Sequence, residues 1–238
     1  MLQPSEIERV LVVMAHPDDV DFSSAGTVAL LTDAGVEVVY CLVTDGQAGG
    51  FDRSIPRTEM AAIRREEQTK AAAEVGVSTL HFLGHIDGAV EVTMQLRHDI
   101  SAIIRTVRPQ VVITQSPLRS LASTYGSHPD HNAVGEATMC AVYPDARNPF
   151  AFPGMPCAEL DDWAVDEVWI TNGPDADEFF DITTVLDRKI SALRCHISQH
   201  VDPDAMEERV RAWWGSIAVA NGLPEGSTAE SFRVVDTR

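Results

Sequence analysis

Five apolar residues in a row, Val10-Leu11-Val12-Val13-Met14, are followed at once by the polar turn His16-Pro17-Asp18-Asp19. A run so short and so rich in valine reads as a strand buried on both faces. Such strands belong to parallel sheets, where helices cover both sides. The pattern repeats along the chain. A helical pattern over residues 27–34 stops at Gly35, and β-branched residues 36–43 read as a second strand. A loop with several glycines, 45–56, leads into strong helix formers over 57–75 that stop at Gly76. Residues 80–83 are a short third strand, 93–107 a helix ended by Pro109, and 111–114 a fourth strand. The polar loop 115–130 then leads to a helix over 131–142.

This alternation predicts an α/β fold: a mostly parallel sheet, right-handed crossovers and helices on both faces. The second half is less regular. Residues 144–161 hold four of the thirteen prolines and read as a long surface loop. Residues 165–171 read as a further strand, and 187–196 and 205–218 as helices. No repeat, low-complexity tract or linker interrupts the chain, so one domain over 1–238 is expected.

Composition narrows the partners. The formal charge of −18 repels phosphate backbones and anionic lipid, which argues against nucleic acid and membranes. No apolar stretch approaches the roughly 18 residues of a membrane span. The polar N-terminus does not read as a signal peptide. Cys41, Cys140, Cys157 and Cys195 are scattered without a Cys-x-x-Cys pair, as expected of reduced thiols in a cytoplasmic protein. Gly46, Gly49 and Gly50 do not follow the first strand as a Gly-x-Gly-x-x-Gly fingerprint, which disfavours dinucleotide binding.

Ligands of open α/β sheets bind outside the carboxyl ends of the strands. Two His/Asp clusters are delivered there. One is His16, Asp18 and Asp19 after the first strand; the other is His128-Pro129-Asp130-His131 after the fourth. Imidazole and carboxylate are good ligands for a divalent metal, and a catalytic zinc takes three protein ligands. His16, Asp19 and His131 would supply three. Adjacent aspartates in a turn cannot point the same way, so one can bind metal while its neighbour faces a metal-bound water.

These motifs resemble the PIG-L/LmbE-like family of N-acetylglucosaminylphosphatidylinositol de-N-acetylases, with the mycothiol and bacillithiol deacetylases and the mycothiol-conjugate amidase among its bacterial members. The resemblance rests on Ala15-His16-Pro17-Asp18-Asp19 and His128-Pro129-Asp130-His131. Between them lie Arg64-Arg65-Glu66-Glu67, Val75-Gly76-Val77, Phe82-Leu83-Gly84 and Asp87-Gly88. Lys189, His196, Ser198-Gln199 and Ala229-Glu230-Ser231-Phe232 extend it to nearly the whole chain. It implies a Rossmann-like three-layer sandwich and a zinc-dependent hydrolase that removes the N-acetyl group from a GlcNAc-containing small molecule. By matching positions, His16, Asp19 and His131 would hold Zn2+, with Fe2+ an alternative. Asp18 would be the general base and His128 the oxyanion stabiliser or acid; Asp130, by its place between His128 and His131, would orient His128. Arg64, Asp87 and Tyr125 would contact the substrate. A homo-oligomer, up to a hexamer, is implied as well.

Other readings stay open at this point. Asp130 also reads as the cap of a following helix, Arg64 as a solvated helix charge, and Asp87 as a turn residue. His81, His85, His98 and His200 read as surface or packing residues, His196 as either one of these or, through its family segment, a residue near the site, and Trp213-Trp214 as core or oligomer contacts. Many family members carry Glu directly after the Asp pair, where this chain has Val20 and then Asp21. The same chemistry would serve an amidase on thiol-sugar conjugates, a tailoring deacetylase of natural-product synthesis, or a metal- and sugar-binding protein without turnover.

Overall fold

The computed structural model describes residues 1–121, 124, 127–171, 173 and 175–238. Val10 to Met14 lie in β1 (Arg9–Met14), and all five are fully buried. The chain continues through α1 (Asp19–Ser23), α2 (Ala25–Asp33), β2 (Glu37–Thr44), α3 (Arg57–Glu74), β3 (Thr79–His85) and α4 (Met94–Val107). Then come β4 (Val111–Gln115), α5 (Pro129–Cys140), β5 (Glu167–Thr171), β6 (Glu178–Asp181), α6 (Leu186–Arg194), α7 (Pro203–Ala220) and β7 (Ala229–Asp236). The strands form one seven-stranded sheet in the order β3-β2-β1-β4-β5-β7-β6. β1 to β5 are parallel; β7 runs antiparallel to both β5 and β6.

Side chains alternate across β1, so one apolar run feeds two cores. Val10, Val12 and Met14 pack with Val28 and Leu31 of α2 and with Ala71 and Ala72 of α3. Leu11 and Val13 pack with Leu96, Ile100 and Ile104 of α4 and with Val134 and Ala137 of α5. The result is the expected three-layer α/β sandwich. Local signals set the helix ends. Thr93 caps α4 by accepting from the Leu96 amide at 3.1 Å, and Arg108, in a left-handed conformation, closes it before Pro109. Gly35 and Gly76, at positive φ, sit just past α2 and α3 as their sequence positions predict.

Two regions differ from expectation. α5 begins at Pro129, two residues early, because a proline at the first helical position needs no amide partner and His128 acts as the cap. Residues 144–161 are not a solvated loop. They pass through a π-turn (Ala141–Asp145) and a 3₁₀ turn (Pro156–Glu159), and Asp145, Ala146, Phe152 and Cys157 are buried. Arg105 of α4 organises them. Its guanidinium donates to the carbonyls of Ala146, Cys157, Leu160, Asp145 and Asn148 at 2.7–3.3 Å. Irregular backbone can be buried only where its carbonyls find such donors.

Candidate active site

β1 and β4 are neighbours, and the chain leaves them on opposite faces of the sheet, toward α2 and toward α5. That reversal opens a crevice at their carboxyl ends. His16, Asp18 and Asp19 enter it from β1, and His128, Asp130 and His131 from the start of α5. Gly135 lets α5 sit close enough: a Cβ there would lie 2.4 Å from the Gln115 carbonyl at the end of β4.

Three donor groups converge. His16 Nδ1 and His131 Nε2 are 3.2 Å apart. One Asp19 oxygen lies 3.3 Å from His16 Nδ1, and the other 3.1 Å from His131 Nε2. Tetrahedral coordination with bonds of about 2.0–2.1 Å has edges of about 3.3 Å, so the spacing suits a zinc-sized ion. The other face of His16 fixes its tautomer. Nε2 meets Asp130 Oδ2 at 3.1 Å and Asp87 Oδ1 at 3.2 Å. Carboxylates only accept, so in the neutral ring that a metal ion requires, Nε2 carries the proton and Nδ1 keeps its lone pair. Burial alone would lower the His16 pKa, but Asp19, Asp130 and Asp87 outweigh it and raise it to about 12. Burial would push Asp19 up; the two histidines instead hold it well below the usual carboxylate range. A cluster this hungry for positive charge fits a cation, and His16, Asp19 and His131 can hold one. His128 also presents a ring nitrogen within 4.8 Å of those of His16 and His131.

Asp130 and Asp87 therefore both act on His16. The expected link from the Asp130 carboxylate to His128 is replaced by a backbone one: the Asp130 amide donates to His128 Nδ1 at 3.2 Å. An amide can only donate, so neutral His128 carries its proton on Nε2. Burial and the neighbouring His16 lower the His128 pKa, which favours that neutral form. The Asp130 carboxylate is also held by the amides of Gly88 and Val90, at 2.7 and 3.2 Å. Asp87 accepts from the Ala48 amide at 2.8 Å.

Asp18 has left-handed backbone, φ 86°, a conformation that costs a non-glycine residue on the order of 1 kcal/mol or more. Its carboxylate accepts from Arg64 Nη2 at 2.9 Å. Burial nonetheless keeps the Asp18 pKa above its ordinary value, against the pull of Arg64. Arg64 is only 4 % exposed and is neither a solvated charge nor aimed into open space. It also donates to the carbonyls of Pro17 and Gly46. The loop glycines make room for it, since a Cβ on Gly46 would lie 2.2 Å from Arg64 Nη1.

Beneath Asp18 lies a layer of polar residues of which the sequence motifs quote His196, Lys189 and Glu230 without a task and leave out Gln68. The Asp18 amide donates to Gln68 Oε1 at 2.7 Å, and Gln68 Nε2 donates to Asp21 Oδ2 at 2.9 Å. His196 Nε2 meets the same oxygen at 2.8 Å. Gln68, Asp21 and His196 are fully buried. Lys189 and Glu230 form a second buried pair. Glu230 also accepts from the Gly26 and Thr27 amides at 2.8 and 2.7 Å, so a carboxylate from β7 caps α2.

The site opens into a cavity of about 760 Å3. Its lining includes Asp18, Asp19, His128 and His131 together with Phe22, Arg209, Val210, Trp213 and Ile217. Trp213 is 40 % exposed, whereas Trp214 is core and sits under the Lys189 ammonium. Tyr125 lies outside the described residues. Among the described residues, no helix is long and apolar enough to cross a membrane.

Fold and site together define a three-layer α/β protein with a His/Asp cluster at the switch point of its sheet. The chain belongs to the PIG-L family, described as GlcNAc-PI de-N-acetylase, whose profile matches residues 11–142. It is 32 % identical to a diacetylchitobiose deacetylase of Thermococcus kodakarensis over 97 % of this chain and 84 % of that one. It is 36 % identical to a probable N-acetyl-α-D-glucosaminyl L-malate deacetylase 2 of Bacillus cereus, over 80 % of this chain and 83 % of that one. The structure of an N,N'-diacetylchitobiose deacetylase from Pyrococcus horikoshii, complexed with its inhibitor, superposes with a TM-score of 0.89 at 28 % identity, covering 98 % of this chain and 85 % of that one.

Proposed function

We propose that this protein is a metal-dependent hydrolase that removes the N-acetyl group from a GlcNAc-containing small molecule. The observation that carries the reading is the convergence of His16 Nδ1, His131 Nε2 and Asp19 at 3.1–3.3 Å, in a cavity that Asp18 and His128 also line. These three residues would hold Zn2+, or Fe2+, which an N2O donor set also accepts. A divalent ion at that position lowers the pKa of water toward about 7 and polarises an amide carbonyl.

The chain's own residues do the rest. Asp130 and Asp87 fix His16 with its lone pair inward. Asp18, oriented by Arg64, accepts the proton of the attacking water. Its raised pKa suits a group that must later give that proton to the leaving amine. His128, neutral with Nε2–H as donor, stabilises the oxygen of the tetrahedral intermediate. The apolar wall around Trp213 offers a pyranose ring its C–H face and helps to exclude water. Arg209 gives a polar or anionic aglycone a partner. The names of the relatives supply the sugar class: diacetylchitobiose, GlcNAc-malate and GlcNAc-inositol compounds.

The test is acetate release from N,N'-diacetylchitobiose, GlcNAc-malate and GlcNAc-inositol, before and after chelation and metal restoration. Release that chelation abolishes and metal restores is expected for at least one. Metal-loaded protein that releases no acetate from any of them would overturn the reading.

A further inference from the structure

We infer that Gln68, backed by Asp21 and His196, is the positioning residue that clamps Asp18 in its left-handed conformation and so sets the direction of its carboxylate. The inference rests on the reading of Asp18 as the base. A left-handed aspartate persists only where its surroundings hold it. Two groups hold this one from different sides. Arg64 grips the carboxylate and the preceding Pro17 carbonyl. Gln68 accepts from the Asp18 amide itself, at 2.7 Å.

Residue 68 has to be an amide. Above it is a backbone N–H, which only donates; below it is the Asp21 carboxylate, which only accepts. Glutamine alone among side chains of that length offers an acceptor to one and a donor to the other. A glutamate would place two carboxylates in contact at a fully buried site. Asp21 is in turn fixed by His196 Nε2, so the column runs His196–Asp21–Gln68–Asp18 with every link at 2.7–2.9 Å. This gives the acidic residue that follows Val20 a task. Asp21, fully buried on α1, bonds Gln68 and His196 and so anchors the column from below.

Gln68→Met keeps the shape and removes both hydrogen bonds. The measurements are kcat and KM on the substrate that releases acetate fastest in the panel, bound metal, and the Asp18 φ in a crystal structure of the variant. The clamp predicts a kcat loss of about 10–100-fold, the range expected for a misaimed catalytic group, with KM and bound metal unchanged. It also predicts that Asp18 leaves the left-handed region. In an Asp18→Asn background, Gln68→Met should cost less than about 2-fold, because its effect passes through Asp18. Unchanged kcat, or an equal loss in both backgrounds, overturns the clamp. If Gln68→Met does not fold, the comparison moves to Gln68→Glu and the reciprocal pair Gln68→Glu with Asp21→Asn. The pair restores a donor and an acceptor between residues 68 and 21, with His196 Nε2 turned from donor to acceptor by moving its proton to the unpartnered Nδ1, and should recover about 10-fold or more in kcat over Gln68→Glu; no recovery overturns the clamp. Should Asp18→Asn prove fully active, the base assignment fails, while the Asp18 φ still reports on the clamp.

Discussion

Arg64 of α3 and Arg105 of α4 lie on opposite faces of the sheet and are almost equally buried, at 4 % and 2 % exposed. Their surroundings are not alike. Arg105 is enclosed by five backbone carbonyls, and its three nitrogens all find acceptors. The nearby Asp145 carboxylate is committed elsewhere, to Arg97. Arg64 has two carbonyls and one carboxylate, that of Asp18, which faces the cavity; its Nε has no partner among the described residues. A buried cation whose donors are all spent on backbone holds a fold together. One left partly unspent, and paired with a strained carboxylate at a cavity wall, belongs to a working site.

The largest effect should come from the partner of Arg64. Asp18→Asn removes the proposed proton acceptor and keeps the shape. A loss of about 10²–10⁴-fold in kcat is expected, with bound metal retained, as measured by acetate release and metal analysis on the same sample. Undiminished turnover would leave Arg64 with a structural task only and erase the contrast with Arg105.

Next in size is Arg105→Ala. Several buried carbonyls would lose their donor together, and the 144–161 segment would have to rehydrate. A drop of about 3 kcal/mol in unfolding free energy is expected in denaturant titration, with kcat of the folded protein unchanged. A large kcat effect with little loss of stability would show that the segment reaches the site.

How far each region could be read in advance follows the same division. The parallel strands were legible because burial on both faces demands a run such as Val10-Leu11-Val12-Val13-Met14. The two His/Asp clusters were legible as one site because the rule that ligands sit at strand ends placed both on one rim. Of the column under Asp18, His196 and Asp21 were singled out in the sequence while Gln68 was not. Arg64, Glu67 and Gln68 form a buried face of α3 at i, i+3 and i+4, yet a stretch such as Arg-Arg-Glu-Glu-Gln reads as a solvated surface. The task of Asp130 was misread because a motif shows which residues are adjacent in sequence and not that its carboxylate crosses to His16. β6 and β7 escaped notice because Glu178–Asp181 and Ala229–Asp236 mix charges with apolar residues at the antiparallel end of the sheet. The segment 144–161 looked exposed because its prolines and polar residues carry no sign of a guanidinium supplied from α4.

The smallest expected effect decides between two uses of Arg64. The sequence resemblance directs this residue toward the substrate, whereas its hydrogen bonds are made to Asp18, Pro17 and Gly46. Lysine at 64 keeps the positive charge and loses the fork, so one ammonium must replace contacts made by two separate nitrogens. If Arg64 works through Asp18, Arg64→Lys should lower kcat by about 10-fold and leave KM nearly unchanged, since the misplaced group acts only in the transition state. Its melting temperature should fall less than that of Arg105→Ala, because only two carbonyls are affected and one keeps a cation nearby. If Arg64 instead binds the aglycone, KM should rise while kcat holds, and the rise should differ between GlcNAc-malate, which is anionic, and N,N'-diacetylchitobiose, which is neutral. The split between kcat and KM thus separates an arginine that aims the base from one that grips the ligand.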